Sequence, residues 1–427
     1  MLNWSRYNYL LKREGEFMIY NSLSNSFAAV TESLWKELVK YEVGKPISDL
    51  PEELISALKR MRAVVTSDDT ERMKIKYQTQ RLRFQTAQLS LTICPTLGCN
   101  FRCGYCFEHD HPDVDMSNET EERLIEFVKS HTEAKRIGVT WFGGEPLLQF
   151  GRIKSLTRKL LEIGKPYGAV IITNGYLLSE KIAKQLPELQ INNIQITLDG
   201  LAETHDKRRF LKNGGGTYDR IIENICVAAE IIPEVRISIR VNIDKNNADD
   251  YVKFFEFVRT KDWKNVIVYP AFVGDYSEGN CGFVLNSTVR RDLLEYYAHK
   301  TGERSSHFYP TSNRRECAIR NPNTYVIGPE GEIYKCWNDV GDSKRIVADI
   351  YGNVKNEKLL LDYLCGADPL EDPKCNSCIL LPVCSGGCPY ERLRGTPEED
   401  LCPLIKWNLD DFLWRKYQEH KKTTEKQ

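Results

Sequence analysis

The stretch Leu89-Ser-Leu-Thr-Ile-Cys94-Pro-Thr-Leu-Gly-Cys99-Asn-Phe-Arg-Cys103-Gly-Tyr-Cys106-Phe-Glu108 runs from an apolar strand pattern straight into three cysteines spaced CxxxCxxC. That spacing suits three thiolates on one iron–sulfur cube. Three ligands on a four-iron cluster leave one iron open, and an open iron can bind and activate a substrate or cofactor, whereas a fully thiolate-ligated cluster mainly passes electrons. The run therefore predicts a strand whose carboxyl end carries chemistry.

From Gln88 to about His299 the same unit of strand and polar loop recurs. Strand patterns at Leu89–Cys94, Ile137–Trp141, Ala169–Thr173, Ile194–Leu198, Val235–Val241 and Val266–Val273 alternate with helical runs such as Glu121–Ser130 and Tyr218–Ile231. Six βα units of this kind predict an α/β fold with a parallel sheet, either barrel or open, and put the active site at the strands' carboxyl ends. Each conspicuous polar motif follows a strand: the cysteines the first, Gly143-Gly144-Glu145-Pro146 the second, Thr173-Asn174-Gly175 the third and Asp199-Gly200 the fourth.

The flanks read differently. Residues up to about Gln85 form a small unit: strand-like runs at Tyr7–Leu11 and Glu16–Tyr20, a turn through Asn21–Asn25, and amphipathic helices with Thr31 and Asp49 as N-caps. The charged stretch Asp68–Arg83 bridges to the next domain. Beyond His307 the chain is loop-rich, with a hairpin over Tyr325–Cys336 and a closing helix from Leu404 to about His420. So thin an apolar segment needs metal or clusters to repay an ordering cost of about 1–2 kcal/mol per residue.

At 427 residues the chain has room for about two to four domains. No stretch reaches the ~20 apolar residues of a membrane span, and Met1-Leu2-Asn3-Trp4-Ser5-Arg6 lacks the regions of a signal peptide, so cytoplasmic residence is expected, with no membrane partner. A formal net charge of −1 gives no global field toward nucleic acid; the basic run Lys207-Arg208-Arg209 is local. Without an export signal, the 14 cysteines read as metal or cluster ligands rather than disulfides. A second group comprises Cys317, Cys336, Cys375, Cys378, Cys384, Cys388 and Cys402. Of the leftover Cys94, Cys226, Cys281 and Cys365, the first two read as small buried hydrophobes.

The cysteine run followed by Gly143-Gly144-Glu145-Pro146 resembles the radical S-adenosylmethionine enzymes. The resemblance implies a partial (β/α)6 TIM-like barrel, with a small N-terminal winged-helix-like α+β domain and a loop-rich C-terminal iron–sulfur domain. It also implies that Cys99, Cys103 and Cys106 hold a [4Fe-4S] cluster whose open iron chelates S-adenosylmethionine and cleaves it to a 5′-deoxyadenosyl radical. Gly143, Gly144, Glu145 and Pro146 would contact the methionine amine through the backbone, the glycines permitting close approach to the ligand. Asp199, Asp206 and Arg209 fall where related enzymes show an S-D-G…H-D-x-x-R pattern near the cofactor's carboxylate and ribose, with Thr197 in place of the serine. Asn174, Arg240 and Asn242 are further candidates for polar contacts, a strand-end salt bridge being an equal alternative for Arg240. A flavodoxin or ferredoxin-type reductant is the implied electron source.

The second cysteine group resembles a SPASM domain, an auxiliary-cluster module of peptide-modifying radical enzymes. By that resemblance Cys375, Cys378, Cys384 and Cys402 ligate an outer [4Fe-4S] cluster, and Cys317, Cys336 and Cys388 an inner one, making three clusters in all. In sulfatase maturases an aspartate directly follows the cysteine of the Gly-x4-Cys hairpin as base; here Trp337 stands there and Asp339 lies two residues on. Residues 1–85 resemble a RiPP recognition element, which binds the leader of a precursor peptide. Three blocks are thus expected: 1–85 for leader binding, 86–306 for the radical barrel and 307–427 for auxiliary clusters. The expected activity is cross-linking of a precursor peptide, with formylglycine formation on a sulfatase or a non-catalytic redox scaffold as alternatives.

Overall fold

The computed structural model describes residues 2–47, 50–106, 108, 112–274, 282–302 and 317–424. The expected cap Asp49 and the leftover Cys281 lie outside the described residues. Over the described residues the chain packs as two compact units. One combines the chain up to Phe84 with the segment ending at Asn321 and everything from Leu364; the other combines Gln85–Gly302 with Pro322–Tyr363.

The first unit opens with β1 (Asn3–Trp4), then an antiparallel sheet of β2 (Asn8–Arg13), β3 (Glu16–Asn21) and β4 (Ser26–Val30), with β5 (Val64–Val65) returning to pair with β1. Both faces of that sheet are covered, because its apolar residues alternate between them. Ile19 packs with Leu38 and Leu58 of the helices Glu32–Leu38 and Glu52–Arg60. Leu11, Met18 and Tyr20 pack with Leu380, Leu409, Leu413 and Trp414. Thr31 caps its helix, accepting from the Leu34 amide. The third strand, β4, was not expected from its short Phe-Ala-Ala-Val sequence.

The stretch Asp68–Arg83, expected as a charged bridge, is a helix capped by Ser67. Only Glu71, Ile75 and Arg83 are buried along it, which is why its sequence carries no apolar stripe. The closing helix is Leu409–Thr424; Leu404–Lys406 form a separate single turn.

In the second unit all six expected strands are present: β6 (Gln88–Ile93), β7 (Arg136–Trp141), β8 (Tyr167–Thr173), β9 (Ile191–Thr197), β10 (Arg236–Ile243) and β11 (Val266–Phe272). They run parallel and lie side by side in sequence order, with helices in the crossovers. In β6 and β10 an apolar buried set alternates with a more polar set. Leu89, Leu91 and Ile93 alternate with Ser90 and Thr92, and Ile237, Ile239 and Val241 with Arg240 and Asn242. The polar sets share the inner face of a partial barrel.

A hairpin extends this sheet: β12 (Thr324–Ile327) pairs in parallel with β6, and β13 (Glu332–Tyr334) and β14 (Ala348–Asp349) follow antiparallel. The expected hairpin is there, but it is part of the barrel sheet, where it covers the otherwise unpaired edge of β6. The chain beyond residue 307 is therefore divided between the units, and the packing does not follow three consecutive blocks.

Glu71 yields a test of the first unit. Its carboxylate accepts from Ser5 Oγ at 2.9 Å, and burial pushes it up to about 7, from an ordinary 4.5, with Asp68 adding to the rise and Arg6 opposing it. The folded state holds this proton more tightly than the unfolded chain does, so the associated stability is full below about pH 4.5 and is lost as pH rises through about 7. The Glu71→Gln variant should melt roughly 2–5 °C above wild type at pH 8, with the difference gone at pH 4. Equal melting at pH 8 would contradict this reading.

Candidate functional site

The cluster loop starts at the carboxyl end of β6. It is held by main-chain bonds to a second segment, residues 208–212: Arg102 N–H donates to Phe210 O at 2.9 Å, Lys212 N–H to Asn100 O at 3.0 Å and Gly104 N–H to Arg208 O at 3.3 Å. Within the loop, Phe101 N–H donates to Cys99 Sγ at 3.4 Å. Cys99, Cys103 and Cys106 all line one cavity of about 420 Å³, inside the ~300–1,000 Å³ range of small-molecule sites. Burial pushes all three thiols up, Cys99 and Cys106 to about 12, so a cation in the cavity would favour their thiolate forms.

The Gly-Gly-Glu-Pro run is a brace for this loop. Gly144 N–H donates to Thr96 O at 3.2 Å and Glu145 N–H to Gly98 O at 2.8 Å. A Cβ on Gly143, at φ +108°, would lie 2.3 Å from Thr96 O, and one on Gly144 would lie 2.3 Å from Gly98 O and 2.4 Å from Leu97 O. Both glycines therefore admit the cluster loop itself, a role the sequence reading had given to ligand approach alone. They also line the cavity, whereas Glu145 and Pro146 are buried behind it. The Glu145 carboxylate accepts from Thr173 Oγ1 (2.7 Å), Asn174 N–H (2.7 Å) and Leu147 N–H (3.0 Å), which joins the loops after β7 and β8.

Asn174 lines the cavity and donates from Nδ2 to Asn100 Oδ1 at 2.8 Å. Thr197, Arg209, Arg240 and Asn242 also line it. Arg209 is buried; its Nη1 donates to Tyr105 Oη at 2.7 Å, while its Nε has no hydrogen-bond partner among the described residues. A buried cation with an open donor beside a hydroxyl suits a carboxylate ligand, as S-adenosylmethionine would bring. Arg240 donates from Nε to Asn242 Oδ1 at 2.8 Å, and no carboxylate pairs with it among the described residues. The strand-end salt bridge considered for it is not formed there.

Two expected contacts sit elsewhere. Asp199 is buried outside the cavity lining, bound by Arg208 Nε at 3.0 Å. Asp206 accepts from the amides of Thr217 and Tyr218 at 2.7 and 2.9 Å and so caps the helix Tyr218–Ile231. The basic run resolves into three environments: Lys207 is exposed and pairs with Glu203, Arg208 lies between two buried carboxylates, and Arg209 faces the cavity.

Residues not anticipated from sequence complete the walls. Phe142, Phe272 and Trp337 form an apolar side, with the rings of Phe142 and Trp337 5.7 Å apart, and Gln195 on β9 accepts from Tyr269 Oη at 2.7 Å on the polar side. Period-two alternation along β9 could have flagged Gln195. Glu108, pushed up to about 7 by burial, also lines the cavity. Trp337 follows Cys336, but Asp339 turns away: its carboxylate accepts from Tyr363 Oη at 2.7 Å and lies 3.9 Å from Arg345.

In the first unit Cys375, Cys378, Cys384 and Cys402 line a separate cavity of about 560 Å³. Two cations reach its thiols, Arg392 Nη1 to Cys375 Sγ at 3.3 Å and Lys406 Nζ to Cys402 Sγ at 3.5 Å. Charge-assisted donors of this kind suit thiolates bound to a cluster. Cys317 and Cys388 belong to the first unit and Cys336 to the second.

The brace predicts a specific failure. Gly144→Ala should cost the reconstituted protein most of the iron that Cys99, Cys103 and Cys106 would hold, because the new methyl meets backbone oxygens that cannot move aside. Gly151→Ala, with open space around its Cβ position, should retain it. Iron analysis of the two variants checks this, and full loading of Gly144→Ala would contradict it.

Comparison with known proteins agrees with this geometry. Residues 93–258 match the model of the Radical SAM superfamily. A cysteine-type anaerobic sulfatase-maturating enzyme of Clostridium novyi is 25% identical over 359 residues, covering 74% of this chain and 93% of that one. Among solved structures, anSMEcpe with bound AdoMet and Cp18Cys peptide superposes with a TM-score of 0.60 at 21% identity, over 76% of this chain and 98% of that one. Streptococcus suis SuiB bound to precursor peptide SuiA gives 0.53 at 16% identity, over 94% and 99%. The cluster loop, the cavity at the strands' carboxyl ends and the family match together identify residues 93–258 as a radical SAM domain.

Proposed function

We propose that this chain is a radical S-adenosylmethionine peptide maturase, which abstracts hydrogen from a ribosomal precursor peptide and closes an intramolecular thioether or carbon–carbon cross-link. When bound, the cluster and S-adenosylmethionine supply a hydrogen-abstracting radical. Cys99, Cys103 and Cys106 would hold that cluster. Arg209 and Thr197 would hold the cofactor's carboxylate, with Asn174 and Arg240 as further polar contacts and Gly143 and Gly144 offering backbone. The wall of Phe142, Phe272 and Trp337 would seat an apolar part of the peptide and limit water at the reacting carbon.

Peptide as substrate class is supported by the two structural neighbours solved with bound peptides. The first unit suits a leader: β4 is an edge strand of its sheet, beside the helix Glu32–Leu38, and strand addition at an edge is a common mode of peptide capture. Cys375, Cys378, Cys384 and Cys402 would hold an auxiliary cluster. The resemblance to a SPASM domain implies a further cluster for Cys317, Cys336 and Cys388. A flavodoxin or ferredoxin-type protein would supply electrons.

The observation that carries cross-linking over formylglycine formation is the indole of Trp337 in the cavity. The Clostridium relative favours the sulfatase reading, which calls for a carboxylate base after the hairpin cysteine. Here that position brings an aromatic ring, and the Asp339 carboxylate is engaged by Tyr363. A peptide encoded beside this gene, incubated with reconstituted protein, S-adenosylmethionine and reductant, should lose the mass of two hydrogens. An unchanged mass there, with conversion of a sulfatase peptide instead, would overturn the proposal.

A further inference from the structure

The largely buried guanidinium of Arg208 takes no part in the chemistry proposed above, yet the ends of two barrel strands and the cluster loop meet at it. Its Nε donates to Asp199 Oδ2 at 3.0 Å, just past the end of β9. Its Nη1 donates to Asp244 Oδ2 at 2.7 Å and its Nη2 to Asn242 O at 3.3 Å, both at the end of β10. The guanidinium carbon lies 5.0 Å from the centre of the Tyr105 ring, between Cys103 and Cys106. Its own carbonyl receives the Gly104 amide.

We propose that Arg208 is a positioning residue that fixes the Cys103–Cys106 segment and the Tyr105 ring against the carboxyl ends of β9 and β10. The segment 208–212 is the strip to which the cluster loop is hydrogen-bonded, and Arg208 ties that strip to the barrel. Side-chain exposures of 9% for Arg208, 0% for Asp199 and 2% for Asp244 keep the ion pairs out of water, where they are directional and little screened. The same anchor acts on Tyr105 from its ring face while Arg209 and Asn242 donate to its hydroxyl at 2.7 and 3.2 Å. A planar fork is needed for two carboxylates, a carbonyl and a ring face at once, so lysine is not an equivalent.

The inference rests on the radical cluster reading and is independent of which peptide is modified. Removing the guanidinium outright strands two buried carboxylates, so Arg208→Gln is expected to fold poorly. Arg208→Lys, which keeps the charge, and Asp244→Asn, which removes one arm, are the informative variants, with exposed Lys207→Gln as control. Amide hydrogen exchange over residues 100–106 is read with and without the cluster. Affinity for S-adenosylmethionine and the electron paramagnetic resonance signal of the reduced cluster with and without it are read on protein loaded with iron.

Both variants should exchange faster across 100–106 and bind S-adenosylmethionine about 10–100-fold more weakly, as loss of a supporting contact around a metal ligand typically does. Their cofactor-induced spectral change should differ from wild type at equal iron content. The control should change nothing. Wild-type exchange at Gly104, together with wild-type affinity and spectrum in both variants, would overturn the proposal. Faster exchange without a change in affinity or spectrum would overturn it too, leaving Arg208 a stabilising ion pair only. Because exchange without the cluster requires no cofactor, failure of the positioning role and failure of the cluster reading give different results.

Discussion

Two carbonyl oxygens, those of Leu97 and Gly98, lie so close to Gly144 that no side chain fits between them, and the rest of the site depends on that contact. It presses the loop after β6 against the loop after β7, and the buried Glu145 carboxylate carries the same brace on to the loop after β8. Three thiols are thereby presented to one cavity at the carboxyl ends of parallel strands. Any residue with a Cβ at position 144 would separate the first two loops.

Around this brace the site divides into polar and apolar sides. Arg209, Arg240, Thr197 and Asn242 stand on strands or loops whose inner-facing residues are polar, so the partial barrel does not fill its own interior. Phe142, Phe272 and Trp337 close the other side. A cavity with cationic donors near its thiols and aromatic rings opposite suits a charged cofactor lying beside an apolar stretch of substrate. The auxiliary cysteines obey similar physics in the first unit, where cations from Arg392 and Lys406 reach the sulfurs.

Much of this was legible in the sequence because it is periodic or spaced. The first four barrel strands are each followed by a polar motif, and the cysteine spacings are local. What escaped depended on distance or on weak pattern. Arg208 reads in the sequence only as part of a local basic run, since its partners Asp199 and Asp244 are 9 and 36 residues away. The helix Asp68–Arg83 hid because it buries so few residues, and β4 because alanines fill its centre. Glu145 and Asp199 were legible as important residues, but sequence could not separate a group that touches the cofactor from one that holds the loop behind it.

The most direct measurement is the formation of 5′-deoxyadenosine from S-adenosylmethionine by the reconstituted, reduced protein, compared with Cys103→Ala. Turnover is expected in the wild type and its loss in Cys103→Ala, with iron still bound through Cys375, Cys378, Cys384 and Cys402. No 5′-deoxyadenosine from fully loaded wild type, or undiminished formation by Cys103→Ala, would contradict it.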